Sequence, residues 1–199
     1  MTGRTARVVL ILSAFVVGIA LTFGVIALLL GPDSVPLASQ RATVGGPFRL
    51  IDGDGKPVTD QDMKGKPFLV FFGFTHCPEV CPTTLFELSE VFKRLGPDGA
   101  KTAGLFITVD PERDTPAVMK DYLSNFDPHL RGLTGDPQAV EAAIKEYRVY
   151  AKKVPLEGGD YTMDHTALVY LMDKQGRFVA PFNLKRSADA AAAELKKYL

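Results

Sequence analysis

An uncharged apolar stretch from Val8 to Leu30 opens the chain. As a helix rising about 1.5 Å per residue, it is long enough to cross a hydrocarbon layer of roughly 30 Å. Residues 31–42, with Pro32, Pro36 and small polar side chains, form a spacer, and a folded domain is expected over 43–199. There the pattern alternates between strands and helices. Phe48 to Ile51, the turn Asp52-Gly53-Asp54-Gly55, and Lys56-Pro57-Val58 make an N-terminal β-hairpin. Phe68 to Phe74 is continuously apolar, as a strand covered on both faces should be, and Ala103 to Val109 repeats the pattern. Leu85, Leu88, Val91, Phe92 and Leu95 recur at helical spacing over 82–95 and stop at Gly96-Pro97.

A second helix begins near Pro116, capped by Asp114 or Thr115. A short strand near Leu130–Leu133 leads to a third helix, capped by Asp136 and running to Tyr147. Residues 148–154 are extended, and Gly158-Gly159 mark a hairpin tip or mobile loop. One strand is expected from Asp164 through Met172, entered by the polar step Asp164-His165-Thr166. A turn at 173–176 returns the chain through Arg177 to Phe182, and Ser187 starts a last helix. The alternation predicts an α/β domain with a mixed central sheet flanked by helices. Cys77 and Cys81, placed where the first core strand turns into a helix, sharpen this to a thioredoxin-like arrangement.

Charge adds an exclusion and an orientation. Basic and acidic residues number 23 each, and Arg4 and Arg7 are the only charges among the first thirty residues. No basic excess is left to meet a phosphate backbone, so nucleic acid is not an expected partner. Arg4 and Arg7 precede the apolar stretch, which by the positive-inside rule leaves 1–7 in the cytoplasm, 8–30 as a transmembrane anchor and the domain across the membrane. A cleaved signal peptide is the competing reading, with Leu37-Ala38-Ser39 as its cleavage point, but its apolar region usually runs to only about 7–15 residues. The short lead before the anchor favours a bacterial inner membrane, with the domain on the periplasmic side, over a mitochondrial one.

The chemistry lies in the two cysteines. Four apart on a helix, they would share a face with Cβ atoms roughly 5–6 Å apart. A helix N-terminus should lower their pKa toward the thiolate that binds metals or attacks disulfides. Two structural cysteines or a plain disulfide are the plainer reading. Three intervening residues, where redox dithiols usually have two, open the pair toward an ion. Of the three histidines, His165 can face both sulfurs from the loop before a core strand. His76 should point away, His129 is expected in solvent, and Met163 is expected to pack. Two thiolates and an imidazole form a soft set suited to copper, as Cu(I) or Cu(II), although an added oxygen ligand would suit zinc.

Three motifs together resemble the Sco/SenC family of membrane-anchored copper chaperones for cytochrome c oxidase assembly. They are Gly73-Phe74-Thr75-His76-Cys77-Pro78-Glu79-Val80-Cys81-Pro82, Val109-Asp110-Pro111-Glu112-Arg113-Asp114-Thr115 and Asp164-His165-Thr166. The resemblance implies a thioredoxin-like domain binding one copper through Cys77, Cys81 and His165, for delivery to the binuclear copper site of the oxidase. It also implies that Asp110 lies beside the site, in metal transfer or partner contact. Glu79 departs from the aspartate common there, with the charge kept. Implied partners are the copper-binding oxidase subunit, other copper chaperones and a thioredoxin-like reductase. The chain is thus expected to act by ligand exchange and not as an enzyme. The rival expectation is a thiol–disulfide oxidoreductase that reduces cysteines of the oxidase subunit or other exported proteins and needs only Cys77 and Cys81. A peroxidase is disfavoured, because no Pro-x3-Thr-x2-Cys pattern precedes Cys77.

Overall fold

The computed structural model describes residues 3–29 and 44–199, which fall into two compact units dividing near residue 41. The expected spacer at 31–42 and the cleavage point at 37–39 lie outside the described residues. The first unit is one helix, α1 (Gly3–Leu29), which starts earlier than the apolar stretch itself. Its segment Val9–Ile26 is exposed and is long and apolar enough to cross a membrane.

The second unit carries, among its described residues, a seven-stranded mixed sheet. In chain order its elements are β1 (Arg49–Asp52), β2 (Pro57–Thr59), β3 (Phe68–Gly73), α2 (Val80–Leu95), β4 (Ala103–Thr108), α3 (Pro116–Leu123), β5 (Leu130–Thr134), α4 (Pro137–Glu146), β6 (Ala151–Pro155), β7 (Tyr161–His165), β8 (Val169–Met172), β9 (Phe178–Pro181) and α5 (Ala188–Lys196). The strand order is β2-β1-β5-β4-β3-β8-β9, while β6 and β7 pair only with each other. The β3, β4 and β5 strands run parallel, and β8 returns antiparallel to β3.

Apolar continuity explains the centre. All six β3 residues are buried, so side chains alternating to opposite faces meet cover on both sides. The Phe72 ring lies 5.3 Å from that of Tyr147 and 6.3 Å from that of Tyr170. One face of α2 buries Cys81, Leu85, Leu88, Val91, Phe92 and Leu95, and each large apolar side chain there contributes about 1.5–3 kcal/mol. Its C-terminus turns at Gly96, whose φ of 57° favours glycine, and the helix packs against α5. Thr115 caps α3 by accepting the Val118 N–H, and Asp136 caps α4 by accepting from Gln138 and Ala139.

Three expectations need correction. The α2 helix begins at Val80, two residues before Pro82, with Glu79 at the cap position. The strand expected over 164–172 is two: β7 ends at His165, and β8 starts at Val169. The break is set from outside the strand: the Thr166 N–H donates to the Tyr150 carbonyl, sixteen residues back, while its Oγ1 accepts the Tyr150 N–H, closing the β6–β7 hairpin instead of joining the main sheet. His129 is only partly in solvent: its ring stacks on Phe92 at 5.3 Å, and its Nδ1 lies 2.7 Å from the Asp127 carboxylate.

Candidate metal centre

The dithiol is built by the end of β3 and the start of α2. Cys77 sits in the connecting turn, where its N–H donates to the Phe74 carbonyl at 3.3 Å, so the two cysteines are not stacked on one helix face as expected. The turn folds back instead. The Cys81 N–H donates to Cys77 Sγ at 3.4 Å, which keeps the sulfurs neighbours by another route. Cys81 is fully buried while Cys77 is half-buried, and both are free thiols. The strand end makes room for Cys81 only because residue 73 is glycine. A Cβ there would stand 2.7 Å from Cys81 Sγ and 2.6 Å from the Phe106 ring.

Burial pushes the Cys81 thiol far above its ordinary value; contact with the Phe74 backbone opposes this, while neighbouring Cys77 and Asp114 add to it. The expected thiolate-favouring effect of the helix terminus therefore loses at Cys81. Desolvation of a sulfur inside the core outweighs the fractional positive charge at a helix start. In the metal-free chain Cys81 is a thiol.

His165, half-buried at the end of β7, brings Nε2 to 4.0 Å from Cys81 Sγ. Its Nδ1 lies 3.1 Å from the Thr166 carbonyl oxygen. A carbonyl only accepts, so Nδ1 donates to it and Nε2 is left facing the sulfur, the arrangement that orients an imidazole to bind metal. The Phe74 ring meets the imidazole edge-on, at 5.8 Å and 87°. Metal–sulfur and metal–nitrogen bonds of about 2.3 and 2.0 Å sum to about 4.3 Å, so one ion can bridge the 4.0 Å gap. Among the described residues no three His, Cys, Asp or Glu side chains converge into a preformed cage. The donor set is open.

The other candidates take different places. Asp110 is buried, accepts from Arg113 Nε and from the Tyr161 hydroxyl at 2.9 Å, and its own N–H donates to Thr108 Oγ1. His76 is exposed, its Nδ1 3.1 Å from Thr75 Oγ1, and Met163 packs at the edge of the core. Glu79 is exposed and makes no side-chain capping bond.

Sequence reasoning treated Asp114 only as a helix cap. It is fully buried and accepts from the Thr75 N–H, the Thr75 hydroxyl at 2.6 Å and the Thr108 hydroxyl at 2.6 Å, tying the dithiol turn to β4. Burial raises its carboxyl pKa against those hydrogen bonds. The available signal was Thr115, which already supplies the cap and leaves Asp114 unassigned.

With this geometry in view, comparison with known proteins is specific. The chain is 34% identical over 196 residues to the SCO2-like protein RP587 of Rickettsia prowazekii, covering 94% of each. It is 37% identical over 166 residues to the mitochondrial SCO1 homolog 1 of Arabidopsis thaliana, covering 81% of this chain and 50% of that protein, and so spans about half its length. Among solved structures, Bradyrhizobium japonicum ScoI with copper bound superposes with a TM-score of 0.77 at 66% identity, covering 78% of this chain and 99% of that one. BsSco, described as a member of the Sco family of cytochrome c oxidase assembly proteins with a disulfide switch, gives 0.62 at 25% identity, covering 78% and 94%. These likenesses fix the fold as thioredoxin-like. The SCO1/SenC family model matches residues 37–199, and the chain belongs to that family.

Proposed function

We propose that this chain is a membrane-anchored carrier that binds one copper ion through Cys77, Cys81 and His165 and hands it to the binuclear copper site of cytochrome c oxidase. The observation that carries the reading is the pairing of His165 Nε2 with Cys81 Sγ at 4.0 Å, with Cys77 Sγ folded against the Cys81 N–H. Nearly ninety residues of intervening chain bring a soft nitrogen to a soft sulfur pair, and a redox dithiol would not need that nitrogen. Copper bound to the similar ScoI supports the choice of metal. An open donor set suits release by ligand exchange, in which an acceptor's thiolates replace these donors one at a time. In this reading the apolar stretch 8–30 anchors the chain, 31–42 spaces it, and 43–199 works on the periplasmic side of a bacterial inner membrane.

The test is a copper titration of the reduced full chain in detergent micelles, with and without His165→Ala. One copper per chain is expected, with at least a tenfold loss of affinity in the variant. Equal affinity and unchanged spectra would remove His165 from the site.

A second reading, thiol–disulfide exchange with the oxidase subunit or another exported protein, is favoured by one observation: Cys77 and Cys81 are free and folded onto each other. It requires no imidazole. Disulfide reductase activity that survives His165→Ala, in a chain that takes up no copper, would select it.

A further inference from the structure

The β6–β7 hairpin that carries His165 makes no ladder to the main sheet among the described residues, and neither of its strands has a buried residue. Its base is fastened by the paired bonds between Tyr150 and Thr166. A base alone is a hinge. Beside an exposed Lys153–Glu112 ion pair at 2.6 Å, a second fastening is Arg113, in the turn before α3. Its Cζ lies 3.7 Å over the Tyr161 ring, and Nη1 donates to the Tyr161 carbonyl at 3.0 Å and to the Asp160 carboxylate at 3.2 Å. On the other side Nε donates to buried Asp110, which also receives the Tyr161 hydroxyl. Among the described residues the buried Arg113 Nη2 has no acceptor, so the guanidinium keeps this place despite an unsatisfied donor.

The same guanidinium stands 5.9 Å from the Phe74 ring, whose edge-to-face partner is the His165 imidazole at 5.8 Å. One buried ring thus separates Arg113 from the candidate ligand. We propose that Arg113 is a positioning residue: seated on Asp110, it clamps the hairpin through Tyr161 and packs Phe74, and thereby holds His165 against Cys81. Planarity and the fork of donors are what the clamp uses, so lysine does not replace it. Asp110 then serves the site as the seat of the clamp, out of reach of solvent at 2% exposure. The metal part of the inference rests on the copper reading above; the clamp itself does not.

Two measurements on the full chain in detergent micelles separate these. In the metal-free protein, Arg113→Ala should speed amide exchange of residues 161–165 at least tenfold while β3 and β4 keep their protection, and Arg113→Lys should not restore it. In Cu(I) competition with a chelator, Arg113→Ala should weaken binding at least tenfold in the parent and add nothing to His165→Ala, as two groups acting through one contact must. Unchanged hairpin exchange in folded Arg113→Ala overturns the clamp. So does a loss that persists undiminished beside His165→Ala. A parent chain that takes up no copper sinks the copper reading and leaves hairpin exchange to decide the clamp. Should Arg113→Ala not fold, Tyr161→Ala removes the stacked ring and the hydroxyl from the other side. The same exchange change is expected there, and its absence overturns the proposal.

Discussion

At the scale of single residues, the site depends on contrasts in burial that residue type does not reveal. The nearness of Cys77, Cys81 and the outlying His165 was legible, and the structure brings His165 Nε2 to 4.0 Å from Cys81 Sγ. The raised Cys81 thiol was not, since it depends on how deeply α2 seats its first turn in the core. That shift has a sign that can be checked. A thiol protonated at neutral pH must give up its proton to a metal, so copper affinity should rise with pH by about tenfold per unit for each proton displaced. Chelator competition between pH 6 and 8 measures this, and a flat profile would mean that no proton leaves Cys81. Gly73 was equally silent, being one more small residue at a strand end. Gly73→Ala drives a methyl onto Cys81 Sγ and the Phe106 ring and should cost about 1–3 kcal/mol in a denaturant melt, with faster alkylation of the displaced Cys81.

At the scale of elements, apolar runs and caps located the strands and helices of the main sheet to within a few residues. What they missed was a change of partner. The run from Asp164 through Met172 reads as one strand because periodicity records a side chain's face, whereas the Thr166–Tyr150 bonds, made sixteen residues back in the chain, decide which strand pairs with which. The N-terminal hairpin shows the opposite case, in which a local signal suffices. Asp52 Oδ1 accepts the Asp54 and Lys56 N–H groups across the turn, Gly55 takes a φ of 76°, and Oδ2 receives Arg131 from β5. Burial alone would raise the Asp52 carboxyl pKa, but these bonds prevail and hold it below its usual value of about 3.9. The stability it contributes is therefore complete above that value and is lost as pH falls through the lower folded one. Asp52→Asn should cost roughly 1–3 kcal/mol at pH 7, and the gap to the parent should close in acid. Urea melts from pH 6 down to 2 test this; a gap of constant size would refute it. Asp136→Ala, which strips the acceptor of two N–H groups from the start of α4, should cost about 1 kcal/mol by thermal melting.

At the scale of the whole molecule, two physically different units share one chain: an exposed apolar helix and a domain whose core is closed on itself. If the helix is the anchor, alkaline extraction of expressing cells should leave the chain in the membrane fraction at its full mass. A shortened, extractable product would instead mark a cleaved signal. Within the domain, the three candidate donors belong to parts buried to unequal depth. Cys81 is set into the sheet-and-helix core, Cys77 rides a turn, and His165 hangs on a hairpin outside the main sheet. An ion shared among them would have one attachment inside the core and two on half-buried parts nearer the surface, so its departure would have a sequence: the imidazole and the outer sulfur would let go while the inner one still held. If the chain carries copper as proposed, an incoming protein would meet cargo half surrendered but not yet lost to solvent, and the last bond would break only when a replacement is in place.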